Sequence, residues 1–180
     1  MIQPCEIAQL GAKVLRQHAE IVDKTDSQDI LQIIKAMQTT LAATQGVGLA
    51  APQISQLKRI IIVASRPTTR YPSAPMMVPT VMINPIFEAL SNEKEKDWEG
   101  CLSIPGIRAL VPRYKVIKVQ YTDENGNPVE KKLEDFVARV FQHEADHLEG
   151  KVYLDRIESP VDIISESEYL KLFEHCEDSL

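Results

Sequence analysis

The chain reads as an α+β fold, and two changes of period along it carry that reading. Apolar residues recur at three- and four-residue spacing near both ends and again around 134–148, as helices with a buried side require. Between the first of these stretches and the second, short apolar runs and alternating residues describe strands, separated by proline, glycine and Asn-Gly turns. Strands grouped in the middle, with helices flanking them, fit α+β rather than a repeating α/β order. At 180 residues, one domain spanning 1–180 is expected, with enough chain to enclose a substantial core.

Residues 27–44 give the clearest helix, with Ile30, Ile33, Ile34, Met37 and Leu41 on one face. Asp26 or Ser27 can cap its start, and Gly46 supplies a stop. Residues 46–53 then read as a small-residue loop, and 60–64 as a buried strand. Pro67, Pro72, Pro75 and Pro79 make 66–80 an expected exposed excursion, and 81–85 return to extended structure. The charged run 92–97 reads as a turn. Ile117, Val119 and Tyr121 alternate with polar residues before Asp123-Glu124-Asn125-Gly126-Asn127 reverses the chain into the second strand of a hairpin. From about 134 to 148 the period is helical, and Phe136, Val137, Val140, Phe141 and Leu148 spread widely enough around it to predict a central helix ended by Gly150. A last helix is expected over 165–178, where Ser165 and Glu168 have capping-box spacing.

Charge and composition exclude several functions. The net charge of −6, from 20 basic against 26 acidic residues, opposes direct binding to a nucleic-acid backbone. Residues 1–10 lack a basic start followed by an apolar run, and 60–64 is far too short to cross a bilayer. Cys5, Cys101 and Cys176 form no even, dense framework, so free thiols in a reducing cytoplasm are expected.

His143-Glu144-Ala145-Asp146-His147 carries the chemistry. At about 100° per residue the two histidines project from one side of a helix, one turn apart, and can share a divalent cation. Glu144 stands beside them, placed to accept a proton from a water that the cation activates. Catalytic centres usually take a third protein ligand. Glu149, Asp155 and Glu158 downstream could supply it, and so could Cys101 upstream, where Gly100 lets the backbone turn closely. A lone cysteine is otherwise a small buried hydrophobe. Asp146 reads as structural, paired with Arg113 or Arg108, and Glu99 as a buttress of the Cys101 loop through a positive partner. His18 and His175 lack ligand-spaced neighbours, Cys5 and Cys176 are bystanders, and Trp98 belongs to core or rim.

Three segments together go further. Gly46-Val47-Gly48-Leu49-Ala50-Ala51-Pro52-Gln53, Glu99-Gly100-Cys101-Leu102-Ser103 and Gln142-His143-Glu144-Ala145-Asp146-His147-Leu148 occur in the order and rough spacing found in peptide deformylases. Ile83-Asn84-Pro85 and Arg108-Ala109-Leu110-Val111-Pro112-Arg113 add secondary matches, and the chain resembles that family from about 11 to 154. The resemblance implies antiparallel sheets packed around the central helix that carries the histidines. It implies Cys101, His143 and His147 as ligands of Fe(2+), with zinc, nickel or cobalt acceptable to the same site. It also implies hydrolysis of the N-formyl group from the initiator methionine of a nascent polypeptide, with release of formate. Glu144 would act as general base, and the Gln53 side-chain amide and Leu102 backbone N–H as oxyanion donors.

Substrate contacts are expected at Val47 and Gly48, whose edge could pair with the peptide as an added strand. Val140 and Arg139, one turn before His143, are placed for the methionine side chain, the Arg139 stem lining the pocket while its head reaches water. The expected partner is an N-formylmethionyl nascent chain, which brings the protein close to ribosomes. Some family members are thought to meet ribosomal RNA through a basic C-terminal helix. Glu166, Glu168, Glu174, Glu177 and Asp178, against Lys171 alone, oppose that docking here. Two other readings stay open at this point: a metallopeptidase cutting ordinary amide bonds, and a non-catalytic paralogue that binds metal or peptide.

Overall fold

The computed structural model describes residues 3–68, 71 and 74–174. The first amphipathic stretch forms α1 (Gln28–Ala42), burying Ile30, Ile34, Met37 and Leu41. Ser27 is its N-cap residue but makes no side-chain capping bond. The helix also stops before Gly46, because the Thr44 hydroxyl takes over its end: Thr44 Oγ1 donates to the Leu41 carbonyl (2.9 Å) and accepts from Gly46 N (3.0 Å). The expected loop after it is instead a short strand, β1 (Gly48–Ala50), and a 3-10 turn over Ala51–Ile54.

Two antiparallel sheets follow. The larger joins β1 to β2 (Ile60–Ser65), β3 (Met77–Ala89), β6 (Val116–Thr122) and β7 (Pro128–Glu134), in the order β1-β2-β3-β6-β7. The smaller contains β4 (Lys94–Cys101), β5 (Ile104–Tyr114) and β8 (Ile163–Ser165), in the order β4-β5-β8. Between β7 and β8 runs α2 (Asp135–Leu148), and α3 (Glu166–Glu174) follows β8.

β2 explains why the larger sheet sits at the centre. Ile61 and Val63 pack with Phe141, Val140 and Leu148 of α2, while Ile60 and Ile62 pack with Ile34, Met37 and Leu41 of α1. A strand covered on both faces needs a continuous apolar run, and 60–63 is one. Ile104, Ala109 and Val111 of the smaller sheet form a separate cluster with Val152 and Tyr153.

Two further expectations fail for identifiable reasons. Lys94 to Asp97 are not a turn: they open β4, pairing from Lys94↔Tyr114 to Asp97↔Val111, and an edge strand accommodates such charges. The excursion closes by Met77, so Pro79 lies within β3, in the half that pairs with β2 and not yet with β6. Pro85 sits where the β3–β6 register shifts; there Asn84, at φ +50°, turns its amide to accept from Val22 N and donate to Val22 O, both at 2.9 Å. β5 runs through Pro112, which pairs with Lys96, and through Pro105 and Gly106, which lie between Ile104, paired with Cys101, and Ile107, paired with Ser165. The described part of α3 ends at Glu174, so 175–178, with His175 and Cys176, lie outside the described residues. Its start is as expected, with Glu168 N donating to Ser165 Oγ.

No helix among the described residues is long and apolar enough to cross a membrane. At the end of α2, Gly150 adopts φ +66°, and a Cβ there would lie 2.8 Å from the carbonyl carbon of Arg16. Both the conformation and the backbone contact demand glycine. Gly150→Ala is expected to lower the urea unfolding free energy by more than about 1 kcal/mol; an unchanged midpoint would show that this junction relaxes freely.

Candidate metal centre and catalytic cleft

α2 projects His143 and His147 toward the same point, their ring centroids 5.3 Å apart. Cys101 arrives from the other sheet, at the end of β4, where the pairing register slips between Glu99 and Cys101 and the chain turns into β5. One ligand atom from each of Cys101, His143 and His147 lies within 4.8 Å of the others, and Cys101 Sγ is 3.4 Å from His147 Nε2. One thiolate and two imidazoles converging at that spacing suit a single transition-metal cation. Burial raises the Cys101 thiol, but the field of His147 and hydrogen bonds from both imidazoles outweigh it and hold the group well below its usual range. The other candidate third ligands are engaged elsewhere. Glu149 pairs with Arg59 and His18, Asp155 with Arg16, and Glu158 with Lys96.

Beneath the histidines lies a buried ionic lattice. Glu99 Oε2 receives His143 Nδ1–H at 2.9 Å, which puts the imidazole proton on Nδ1 and leaves the Nε2 lone pair for a cation. The same carboxylate takes a forked pair from Arg113 (2.8 and 3.0 Å) and a bond from Arg139 Nη1 (3.0 Å). Arg113 then reaches Asp146 at 2.6 Å, and Asp146 accepts from Arg156. Burial alone would raise the Glu99 carboxyl, yet Arg113 and His143 hold it far below the carboxylate range. Both expectations for Glu99 and Asp146 therefore stand, with Arg113 chosen over Arg108. Tyr153 completes the setting by stacking on His143 at 5.8 Å.

Above this lattice opens a cleft of about 420 Å³, bordered by Val47, Gly48, Gln53, Cys101, Leu102, Val140, His143 and Glu144. Gly48 runs directly over Glu144: a Cβ there would lie 2.2 Å from Oε1. Among the described residues β1 pairs with β2 alone, so its other edge is available for strand addition. Glu144 is 4% exposed, and Oε2 has no hydrogen-bond partner among the described residues. Burial lifts its carboxyl to about 7 against the pull of His143 and His147. Such an unsatisfied buried oxygen is costly, and a polar ligand entering the cleft would relieve it. Gln53 is held with its Oε1 accepting from Ala50 N (2.8 Å), so Nε2 points at Ser103 Oγ (3.2 Å) and Cys101 Sγ (3.5 Å).

Arg139 corrects the sequence reading. Its head does not reach water; the residue is 5% exposed and its guanidinium bonds Glu99 and the carbonyls of Val111 and Glu95. It borders the cleft but is anchored in the ionic lattice. Tyr71 and Phe136, which the sequence reading did not single out as site residues, join the cleft instead, with rings 4.7 Å apart and Tyr71 Oη donating to the Trp98 carbonyl. Tyr71 comes from the proline-rich segment, and no local spacing could have signalled its return to α2.

The comparisons agree with this geometry. Residues 4–162 match the family model described as polypeptide deformylase. A relative named peptide deformylase 2 from Nostoc sp. is 52% identical over 166 residues, covering 92% of this chain and 93% of its own. Peptide deformylase 1 of Bordetella pertussis is 44% identical, over 84% of this chain and 86% of its own. Among solved structures, the Met-Ala-Ser-bound class I type b peptide deformylase of Acinetobacter baumannii superposes with a TM-score of 0.84 at 42% identity, covering 87% of this chain and all (100%) of that one. The actinonin complex of the Synechococcus elongatus enzyme gives a TM-score of 0.78 at 37% identity, over 88% of this chain and 81% of that one. The chain thus belongs to the polypeptide deformylase family and is a metal-dependent hydrolase that removes the N-formyl group from new polypeptides.

Proposed function

We propose that Cys101, His143 and His147 hold Fe(2+), and that Glu144, Gln53 and Leu102 hydrolyse the formyl group of an N-formylmethionyl nascent chain. The convergence of one sulfur and two imidazoles beside a buried carboxylate whose Oε2 has no partner among the described residues is the observation that carries this reading. The softness of the sulfur suits iron, and zinc, nickel or cobalt can use the same three donors. When bound, the cation polarises the formyl oxygen and acidifies water.

The chain's own groups supply the rest. Glu144 accepts a proton from the attacking water as its oxygen joins the formyl carbon. It then passes that proton to the methionine nitrogen as the C–N bond breaks, giving formate and a free amine. Gln53 Nε2, fixed by the Ala50 bond, and the Leu102 backbone N–H donate to the oxygen on which negative charge develops. The peptide lies along the open edge of β1 at Val47 and Gly48, and Gly48 leaves no room for acyl groups larger than formyl. Val140, with Tyr71 and Phe136, surrounds the methionine side chain, while Arg139 serves the pocket by anchoring Glu99. The Acinetobacter relative is bound to Met-Ala-Ser, a peptide of the kind such a reaction leaves, which supports deformylation as the reaction. The chain works as one catalytic unit over 1–180, in the cytoplasm and near ribosomes, without docking on RNA through its acidic α3.

Formate release from formyl-Met-Ala, compared with cleavage of unformylated peptides, tests the activity; peptide cutting without formate would replace it with a peptidase. Glu144→Gln should lose ~10²–10⁴-fold in turnover with its metal retained, and normal turnover in a metal-loaded variant would remove the base assignment. The wild-type kcat/KM should fall on the acid side with an apparent pKa at or below about 7, since Glu144 works only when ionised and a cation lowers its value further. Arg113→Met leaves Glu99 and Asp146 without their shared cation, so metal affinity by chelator competition should drop roughly 10–100-fold. An unaltered affinity would mean that His143 is oriented without the lattice.

A further inference from the structure

The two oxyanion donors come from different sheets. Gln53 lies in the 3-10 turn that follows β1 of the larger sheet, and Leu102 in the loop between β4 and β5 of the smaller one. A third segment, Cys5 to Leu10, joins them although it belongs to neither sheet. Ala8 N donates to the Gln53 carbonyl at 2.8 Å, and Leu10 N donates to the Ser103 carbonyl at 2.9 Å. The start of this arm is itself anchored. Cys5 N donates to Thr40 Oγ1 of α1 at 2.8 Å, and Cys5, Ile7 and Leu102 pack against the cluster that includes Ile34 and Met37.

Ser103 connects the arm to the Gln53 side chain. A primary amide is planar, with one acceptor oxygen and two N–H groups at fixed angles. Gln53 Oε1 accepts from Ala50 N, and Nε2 donates one N–H to Oγ of the fully buried Ser103 at 3.2 Å. Those two bonds set the plane of the amide. The second N–H is left for the side where Cys101 Sγ lies, 3.5 Å from Nε2.

We propose that Ala8, Leu10 and Ser103 are positioning residues: the arm fixes the Ser103 backbone against that of Gln53, and Ser103 thereby aims the Gln53 amide at the oxygen on which charge develops. This rests on the oxyanion role given to Gln53 above. No residue of the arm borders the cleft, so the brace bears on turnover and not on peptide binding.

Leu10 allows its N–H to be deleted with little disturbance. Ala12 N bonds the Gln9 carbonyl at 2.9 Å and Gly11 has φ +104°, a turn in which Leu10 occupies the place that favours proline; the residue is 47% exposed. Leu10→Pro removes the donor to Ser103, and Leu10→Ala, which keeps the N–H, is its comparison. With metal-loaded enzymes and formyl-Met-Ala-Ser, kcat of Leu10→Pro should be roughly 3–30-fold below that of Leu10→Ala, with KM within about twofold. In a Gln53→Ala background the two should turn over within about twofold of each other, because the amide being aimed is gone. Equal kcat when Gln53 is present, or the same loss with and without Gln53, would overturn the proposal. If Leu10→Pro does not fold, Ser103→Ala is carried through the same cycle against wild type. A loss confined to the background with Gln53 supports the proposal; no loss, or an equal loss in both, refutes it. Normal kcat in Gln53→Ala removes the oxyanion assignment and this inference together, whereas a wild type that releases no formate removes the deformylation reading itself.

Discussion

The structure depends on a pair of buried carboxylates bridged by one guanidinium. Arg113 leaves β5, forks onto Glu99 of β4 and reaches Asp146 of α2, so the strand that delivers Cys101 and the helix that delivers the histidines are tied through a single side chain. Burying such charges carries a desolvation penalty that their attraction only partly offsets, and an apolar contact of the same volume would often be more stable. What an apolar contact cannot do is fix direction. Glu99 must present an oxygen to His143 Nδ1, and only a carboxylate gripped from the other side by Arg113 and Arg139 holds that oxygen still. Charge balance makes the arrangement tolerable: Glu99 and Asp146 face Arg113 and Arg139, with the half-exposed Arg156 closing the end.

Rigidity around this lattice comes from the sheets. α2 is packed by Ile61, Val63, Met82, Ile117 and Val119 of the larger sheet, and it faces Cys101 from the smaller one. A site shared by two sheets and a helix is held by elements with little freedom to drift, which suits ligand atoms that must sit within a few tenths of an ångström. Tyr71, from the proline-rich segment, is tied to this site by the Phe136 ring and by the Trp98 carbonyl.

What the sequence disclosed follows from the range over which each signal acts. α1, α2 and the β6–β7 hairpin were legible because their patterns lie within one stretch of chain. His143, Glu144 and His147 were legible for the same reason, being one turn of one helix. Cys101 carried no local mark of ligation; only its place among three ordered segments pointed to it. β4 was misread because Lys94, Glu95 and Lys96 look like a turn, and β5 went unassigned, while the pairing that joins the two strands is long-range. Arg139 was misjudged on its stem: the sequence offered no view of the carbonyls of Val111 and Glu95 that capture its head.

Two glycines show how the cleft is kept both tight and reactive. Gly48 lets β1 pass over Glu144 with no space for a methyl group, and Gly100 does the same for Arg108 beneath the Cys101 loop. At Gly48 the closeness excludes solvent from a carboxylate whose Oε2 has no hydrogen-bond partner among the described residues. Excluding water raises that carboxyl toward neutrality, where a base can both take and return a proton. A side chain at position 48 would have to push Glu144 aside, and a polar partner for Oε2 would steady it at the expense of its basicity. The stability forgone at this point is thus the same physical quantity as the reactivity gained, a carboxylate left unsatisfied until substrate and water arrive.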